Sequence, residues 1–381
     1  MAMFMVKPWY RVSGADAEIY GAEWNGGSSS SSWTRTDAAA NFSRPNPYYA
    51  NISGQPSSPF DDIMPWSGIR RVTDASAGEL VEIPKFYYKW TRSGTSGKVM
   101  KLQISMTKHD GFLCSPAHAD RGDGVGERDY VYIGRYACSG NSSSSYKSVT
   151  GVYPKINTSI STFRSGIHNL GNTIWQSDFA MFWTIRMLYL VEFADWNSQS
   201  RIGYGCGSKK EYTGATDALT YHTGSATATR ITYGHTQYRW IEDLWSNVEN
   251  FVDGIYFNSN DIYCIKNPSD FNNTSGGTLV GQRPANTGLI AEWTDPSSIS
   301  GFEYALYPSR LSSFPSTMDN LYNYYVCDST TNNSDVALIT GGPYSNNNQV
   351  FGLFMLSDID TTGWPRVGSR LMVLPPSRLT A

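Results

Sequence analysis

The chain is poor in charge and poor in the residue patterns that build reactive centres. Asp, Glu, Lys and Arg make up 17% of its 381 residues, against about a quarter in an average soluble domain. The formal net charge is only −3, so no basic field is present to hold a phosphate backbone and nucleic acid is not expected as a partner. The five cysteines, Cys114, Cys138, Cys206, Cys264 and Cys327, contain no CxxC pair and are odd in number. That excludes a complete disulfide framework and leaves reduced, buried thiols as the expectation. The opening residues MAMFMVKPWY lack a basic n-region and an apolar core of adequate length, so no classical signal peptide is expected. The longest apolar run, Phe179 to Phe193, carries Arg186 and Glu192 inside it. It is too short and too charged to span a bilayer and reads as a buried helix packed on more than one face, with Ser177 able to cap it. The five histidines, His109, His118, His168, His222 and His235, form no spacing motif, so no nucleophile triad is legible and each reads as a satisfied core or surface group.

What the chain has instead is aromatic rings and glycine: 12 Trp, 25 Tyr, 16 Phe and 35 Gly. With Ser and Asn these make a palette like that of an antibody paratope, where Tyr supplies rigid contact area and Ser, Gly and Asn adaptable hydrogen bonds. The length allows one large elaborated domain or two fused ones. Strand signals fall at Ile19 to Trp24, at Glu79 to Trp90 with an edge or bulge at Pro84, at its hairpin partner Lys98 to Thr107, and at Tyr130 to Cys138. Asp253 to Lys266 reads as a hairpin turning at Asn258 to Asp261. Ser161 to Leu170, closed by Gly171, reads as a short capped helix. Arg239 to Gly254 satisfies both a helical and an alternating pattern.

The last forty residues run ALITGG, PYSNNNQ, VFGLFMLS, DIDTTGWP and RVGSRLMVLP. These are short strands joined by polar, glycine-jointed loops, and such loops on a rigid scaffold are where recognition is found. Tyr344 and Trp364 are the natural anchors, burying large area with few rotors. Ser345, Asn346, Asn347, Asn348, Asp358, Asp360, Thr361 and Thr362 would tune hydrogen bonding around them. The bland alternatives are an asparagine-rich turn and a core tryptophan. Asp358 and Asp360 with Gly363 share part of the spacing of a calcium loop but lack its terminal bidentate Glu. No metal, cofactor or catalytic residue is therefore assigned.

Taken in order, IYGAEWNG, TRTDAA, VEIPKFYYKW, DYVYIGRY, FRSGIHNLG, LYLVEFADWNSQSRIGYG, YRWIEDLWSNVENFVDGIY, GGPYSNNNQVFGLF and VGSRLMVLP resemble a family of phage and prophage tail proteins. Those proteins carry a C-type-lectin-like domain of the formylglycine-generating-enzyme type, and many are variable proteins of diversity-generating retroelements. The resemblance spans about Ile19 to Pro375 and implies an α+β C-type-lectin-like fold, two helices with twisted antiparallel sheets and long loops. It implies a single domain over 19–381 after an N-terminal segment of possible attachment at 1–18, with a variable ligand-binding region near 337–375. It also implies a strand for Asn247 to Asp253 with a helical turn before it. Glu249, where relatives commonly have an aromatic, and Ser369 before Arg370 depart from the pattern. Adenine-rich Asn codons are what such retroelements scramble, which adds weight to Tyr344 to Asn348 and Asp358 to Thr362. The implied function is a hypervariable receptor-binding protein of a virion tail, assembled in the host cytoplasm and not an enzyme. Its partners would be a host cell-surface protein or glycan receptor, other tail proteins and further copies of itself. A structural tail or baseplate protein is the alternative, and a formylglycine-type enzyme a remote one because Cys327 has no neighbouring thiol.

Overall fold

The computed structural model describes residues 17–26, 32–49, 54–94, 98–140, 146–207, 209–229, 231, 233–312, 323–327, 336–342 and 351–379. Among them the protein is mostly β-sheet, with several antiparallel sheets and a curled half-barrel. Its α-helices are Ile160–His168, Phe179–Phe193 and the single turn Ser198–Arg201. This corrects the expected α+β fold of two helices on a C-type-lectin-like sheet. β-branched and aromatic runs outnumber helix-forming stretches, and the Gly, Asn and Ser between them keep each segment short. The expectation came from the order of segments, whereas the sheets are defined by which segments pair.

The first sheet runs Thr34–Asp37, Tyr20–Trp24, Val99–Ser105, Tyr87–Ser93, Leu113–Cys114. The second runs Arg70–Asp74, Gly78–Pro84, Tyr130–Gly134, Leu371–Val373, Ile174–Gln176. The stretch Glu79 to Trp90 is thus two strands in two different sheets, and Pro84, which has no N–H to offer a ladder, closes the first of them. The third and largest sheet is ordered Thr278–Gln282, Asp261–Cys264, Glu249–Asn258, Val336–Thr340, Leu356–Asp360, Tyr324–Cys327, Gly288–Trp293, Pro308–Ser312. Val367–Ser369 lies parallel beside the start of Glu249–Asn258. The expected hairpin is present, with Asn258 opposite Asp261. A small fourth sheet joins Gly224–Ser225, Thr236–Tyr238 and Ile241–Glu242.

Every residue of the helix Phe179–Phe193 is buried, because it packs against the first sheet through Tyr20–Trp24 and Val99–Ser105 and against the third through Glu249–Asn258. Its cap is Asp178, not Ser177: the carboxylate accepts from the Met181 amide at 2.8 Å and can also favour the positive helix start. Ser159 caps Ile160–His168 through the Thr162 amide. The aromatic excess goes largely inward. Trp24, Trp33, Trp183, Trp196 and Trp293 are all buried, and Trp196 touches three of the others with ring centroids 5.0 to 5.5 Å apart. Such edge-on and offset contacts add to the burial of large apolar area. The paratope-like composition therefore describes the core as much as the surface.

Candidate functional site

The central helix carries two buried charges with different company. The Glu192 carboxylate meets the Arg239 guanidinium at 2.6 Å, Ser58 Oγ at 2.7 Å and Tyr238 Oη at 3.0 Å, so it is paired and hydrogen-bonded as a buried charge must be. Arg186 instead donates to the Leu353 carbonyl at 2.8 Å and to Thr340 Oγ1 at 3.1 Å. Its guanidinium lies 3.5 Å from the Phe182 ring centroid and 5.2 Å from that of Phe354. Burial holds it well below the usual arginine range.

Thr340 and Leu353 are the two roots of the segment 343–350. Thr340 Oγ1 also donates to the Met355 carbonyl at 2.8 Å, and the Leu353 amide donates to Ser198 Oγ at 2.9 Å. Gly341 and Gly342 have φ of 93° and 61°, which favours glycine. A Cβ on Gly341 would stand 2.8 Å from the Leu244 carbonyl, and one on Gly342 would stand 2.5 Å from Phe351 Cβ. Both roots therefore hydrogen-bond to one guanidinium, and Thr340 on one side also bonds Met355 on the other. Tyr344, Ser345, Asn346, Asn347 and Asn348 fall in 343–350 and lie outside the described residues.

The second predicted cluster leaves the strand pair at its other end, since Thr340 faces Leu356 while Val336 faces Asp360. Asp358 is fully buried and paired with Arg283, which makes it a core group and not a surface contact. Asp360 accepts from the Thr362 amide at 2.8 Å, from the Thr362 hydroxyl, and from Trp364 Nε1 at 3.1 Å. The Thr361 carbonyl accepts from the Ile160 amide and the Trp364 carbonyl from the Asn157 amide, so this turn is tied to the start of Ile160–His168. Trp364 is 38% exposed.

Between the large and small sheets lies a loop that the sequence reading expected to contain a helical turn. Arg239, Trp240, Asp243, Ser246 and Asn247 all have φ between 47° and 71°, and left-handed residues at such close intervals interrupt a right-handed helix. The strand begins only at Glu249. Such strain persists where the surroundings over-determine it. Arg370 supplies part of that, donating to the carbonyls of Glu242 at 2.6 Å and Asp243 at 3.1 Å, and to those of Gly134 and Arg135. Ser246 amide donates to the Gly341 carbonyl at 2.5 Å, so the strained loop abuts the root of 343–350.

The same loop assembles a cluster that sequence reasoning missed. Cys206, His235 and Asp243 bring one potential ligand atom each to within 4.8 Å of one another, all buried. His235 Nδ1 and Asp243 Oδ2 are 2.7 Å apart. Separations of 29 and 8 residues match no motif; the only sequence trace is the glycine-flanked GYGCG around Cys206. Burial pushes the Cys206 thiol up to about 12. Although burial alone would lower it, the Asp243 carboxylate holds the His235 imidazolium far above its ordinary value. A protonated thiol beside a protonated imidazole is neither nucleophile nor base at neutral pH. Elsewhere, burial drives His118 down to about 3, and it is satisfied by Ser115 Oγ and the Ile83 carbonyl. All five cysteines are free. No helix among the described residues is long and apolar enough to cross a membrane. No protein-family model matches the chain, and no curated protein matches it.

Proposed function

We propose that the protein binds a receptor rather than transforming a substrate, as the adsorption protein of a phage or prophage tail, with Tyr344 and Asn346 to Asn348 meeting the receptor. One observation carries the reading: the exit and the return of 343–350 are pinned to a single buried guanidinium, Arg186, through Thr340 and Leu353. A recognition segment whose side chains vary needs roots that do not depend on those side chains, and the hydrogen bonds to the Leu353 backbone carbonyl and to the Thr340 hydroxyl, both outside the segment, supply them. The ordered resemblance of segments to tail proteins supports the setting, with a host protein or glycan as receptor and other tail proteins as neighbours. Several copies on one particle would turn modest single-site affinity into firm attachment.

The test replaces Tyr344, Asn346, Asn347 and Asn348 together with alanine. Particle adsorption to host cells is expected to fall at least about tenfold, the effect of losing roughly 1.4 kcal/mol per site, while the melting temperature holds. Unchanged adsorption with particles lost at assembly would instead favour a structural baseplate role with a fixed partner. A noncoding near-copy of the 3′ coding region, differing at adenines, would separate a diversified receptor binder from an invariant one.

A further inference from the structure

We propose that Cys206, His235 and Asp243 form a site for one divalent transition-metal ion, zinc by the chemistry of its donors. A thiolate sulfur, an imidazole nitrogen and a carboxylate oxygen make a set that borderline-soft zinc accepts and that calcium or magnesium does not. The three donor atoms already lie within 4.8 Å of one another. Tetrahedral zinc, with bonds of about 2.0–2.3 Å, wants its donors about 3.5 Å apart. The longest of these separations shortens by about an ångström while the His235–Asp243 pair, now 2.7 Å apart, opens by somewhat less, both within reach of side-chain rotation.

The donors are also oriented from behind, as ligands of a built site are. Asp243 Oδ2 accepts from Asn247 Nδ2 at 3.1 Å and Oδ1 from the Thr236 amide at 3.2 Å. The Cys206 amide donates to Ser246 Oγ at 2.8 Å. Neighbouring Glu242 is no competitor, because its two oxygens accept from the Gly214 amide at 2.7 Å and from the Thr216 amide and hydroxyl at 2.9 and 2.6 Å. Binding replaces the His235–Asp243 hydrogen bond with metal bonds and releases the thiol proton and one imidazolium proton to solvent, with no change of oxidation state. A water completes the fourth position.

The ion braces the fold through three protein donors, one fewer than a closed structural zinc site supplies. Its ligands are 4%, 8% and 5% exposed and come from three separate segments, so one ion ties the Cys206 loop and the residue leading into the strand Thr236–Tyr238 to the strained loop that touches Gly341. The site does not rest on the receptor reading, since it would brace that loop whatever Tyr344 meets.

The experiment uses the full chain, stripped with a chelator, dialysed against zinc chloride and then against metal-free buffer. Near-stoichiometric zinc by mass spectrometry and a rise in Tm of about 5 °C over the stripped protein are expected. Cys206→Ser and His235→Ala should lose both, and Cys114→Ser, at a cysteine outside the cluster, should keep both. Zinc absent from the wild type, or retained equally by Cys206→Ser, overturns the proposal. Should Cys206→Ser fail to fold by circular dichroism, cobalt(II) added to the wild type decides. A thiolate-to-cobalt charge-transfer band supports the site, and its absence sinks it.

Discussion

The strand pair Val336–Thr340 and Leu356–Asp360 has two ends that handle charge in opposite ways. Toward the Asp360 end the acids have partners: Asp358, mid-strand opposite Leu338, pairs with Arg283, and Asp360 accepts from the Thr362 amide and hydroxyl and from the Trp364 indole N–H. At the Gly341 end the buried cation Arg186 rests on one carbonyl oxygen, a hydroxyl and ring faces, and the acid Glu249, level with Val367, is pushed by burial up to about 7 against the pull of Arg366. That half holds its acids by direct pairing, although one oxygen of Asp358 is buried without a hydrogen-bond partner. The other end carries residual electrostatic strain beside left-handed backbone, a state that surrounding structure must hold in place and that is commonly found where a surface is used.

That contrast can be broken most severely at Asp358. Replacing it with alanine leaves the Arg283 guanidinium buried and unmatched, and urea unfolding should show a loss of about 3–5 kcal/mol; a loss under 1 kcal/mol would mean that end is not held by charge. The next effect has the opposite sign. Glu249 binds its proton more tightly when folded than at its ordinary value of 4.5, so stability falls as pH rises from about 4.5 through about 7, costing about 3 kcal/mol above that window. Glu249→Gln should flatten this slope and stabilise the protein at pH 8 by up to about 3 kcal/mol, with little change at pH 4, measured by denaturant titration at both. Gly341→Ala places a Cβ against the Leu244 carbonyl at positive φ and should cost about 1–3 kcal/mol in the same measurement. The smallest effect is expected at Asp360. Burial would raise its pKa, but bonds from Thr362 and Trp364 hold it lower, so what it contributes is present above the ordinary carboxylate value and fades as pH falls through the folded one. Asp360→Ala should cost under about 1 kcal/mol and leave adsorption intact; an adsorption defect would move the receptor surface to this end.

Much of the local structure was legible. Apolar residues on all sides of Phe179 to Phe193 announced a helix without a wet face, and the polar turn at Asn258 to Asp261 announced its hairpin. The helix cap was misplaced by one residue because Ser177 and Asp178 are both good caps and only backbone geometry chooses between them. The helical turn before Asn247 was wrong for a different reason: the carbonyls of Glu242 and Asp243 are held by Arg370, more than 120 residues away, and no local pattern encodes that.

For the candidate site, reading along the chain was enough to give the composition of 337–375: its polar residues, its glycines and the large rings of Tyr344 and Trp364. It also determined that Arg186 and Glu192 would sit in a helix with apolar neighbours. Packing in three dimensions placed Asp358 in the core, brought one guanidinium to both roots of 343–350, and made Cys206, His235 and Asp243 converge. Side-chain period and turn chemistry act between residues a few positions apart and can be read along the chain. Charge pairing and ligand convergence depend on distances through space, which sheet register and helix packing set and which sequence separation does not record.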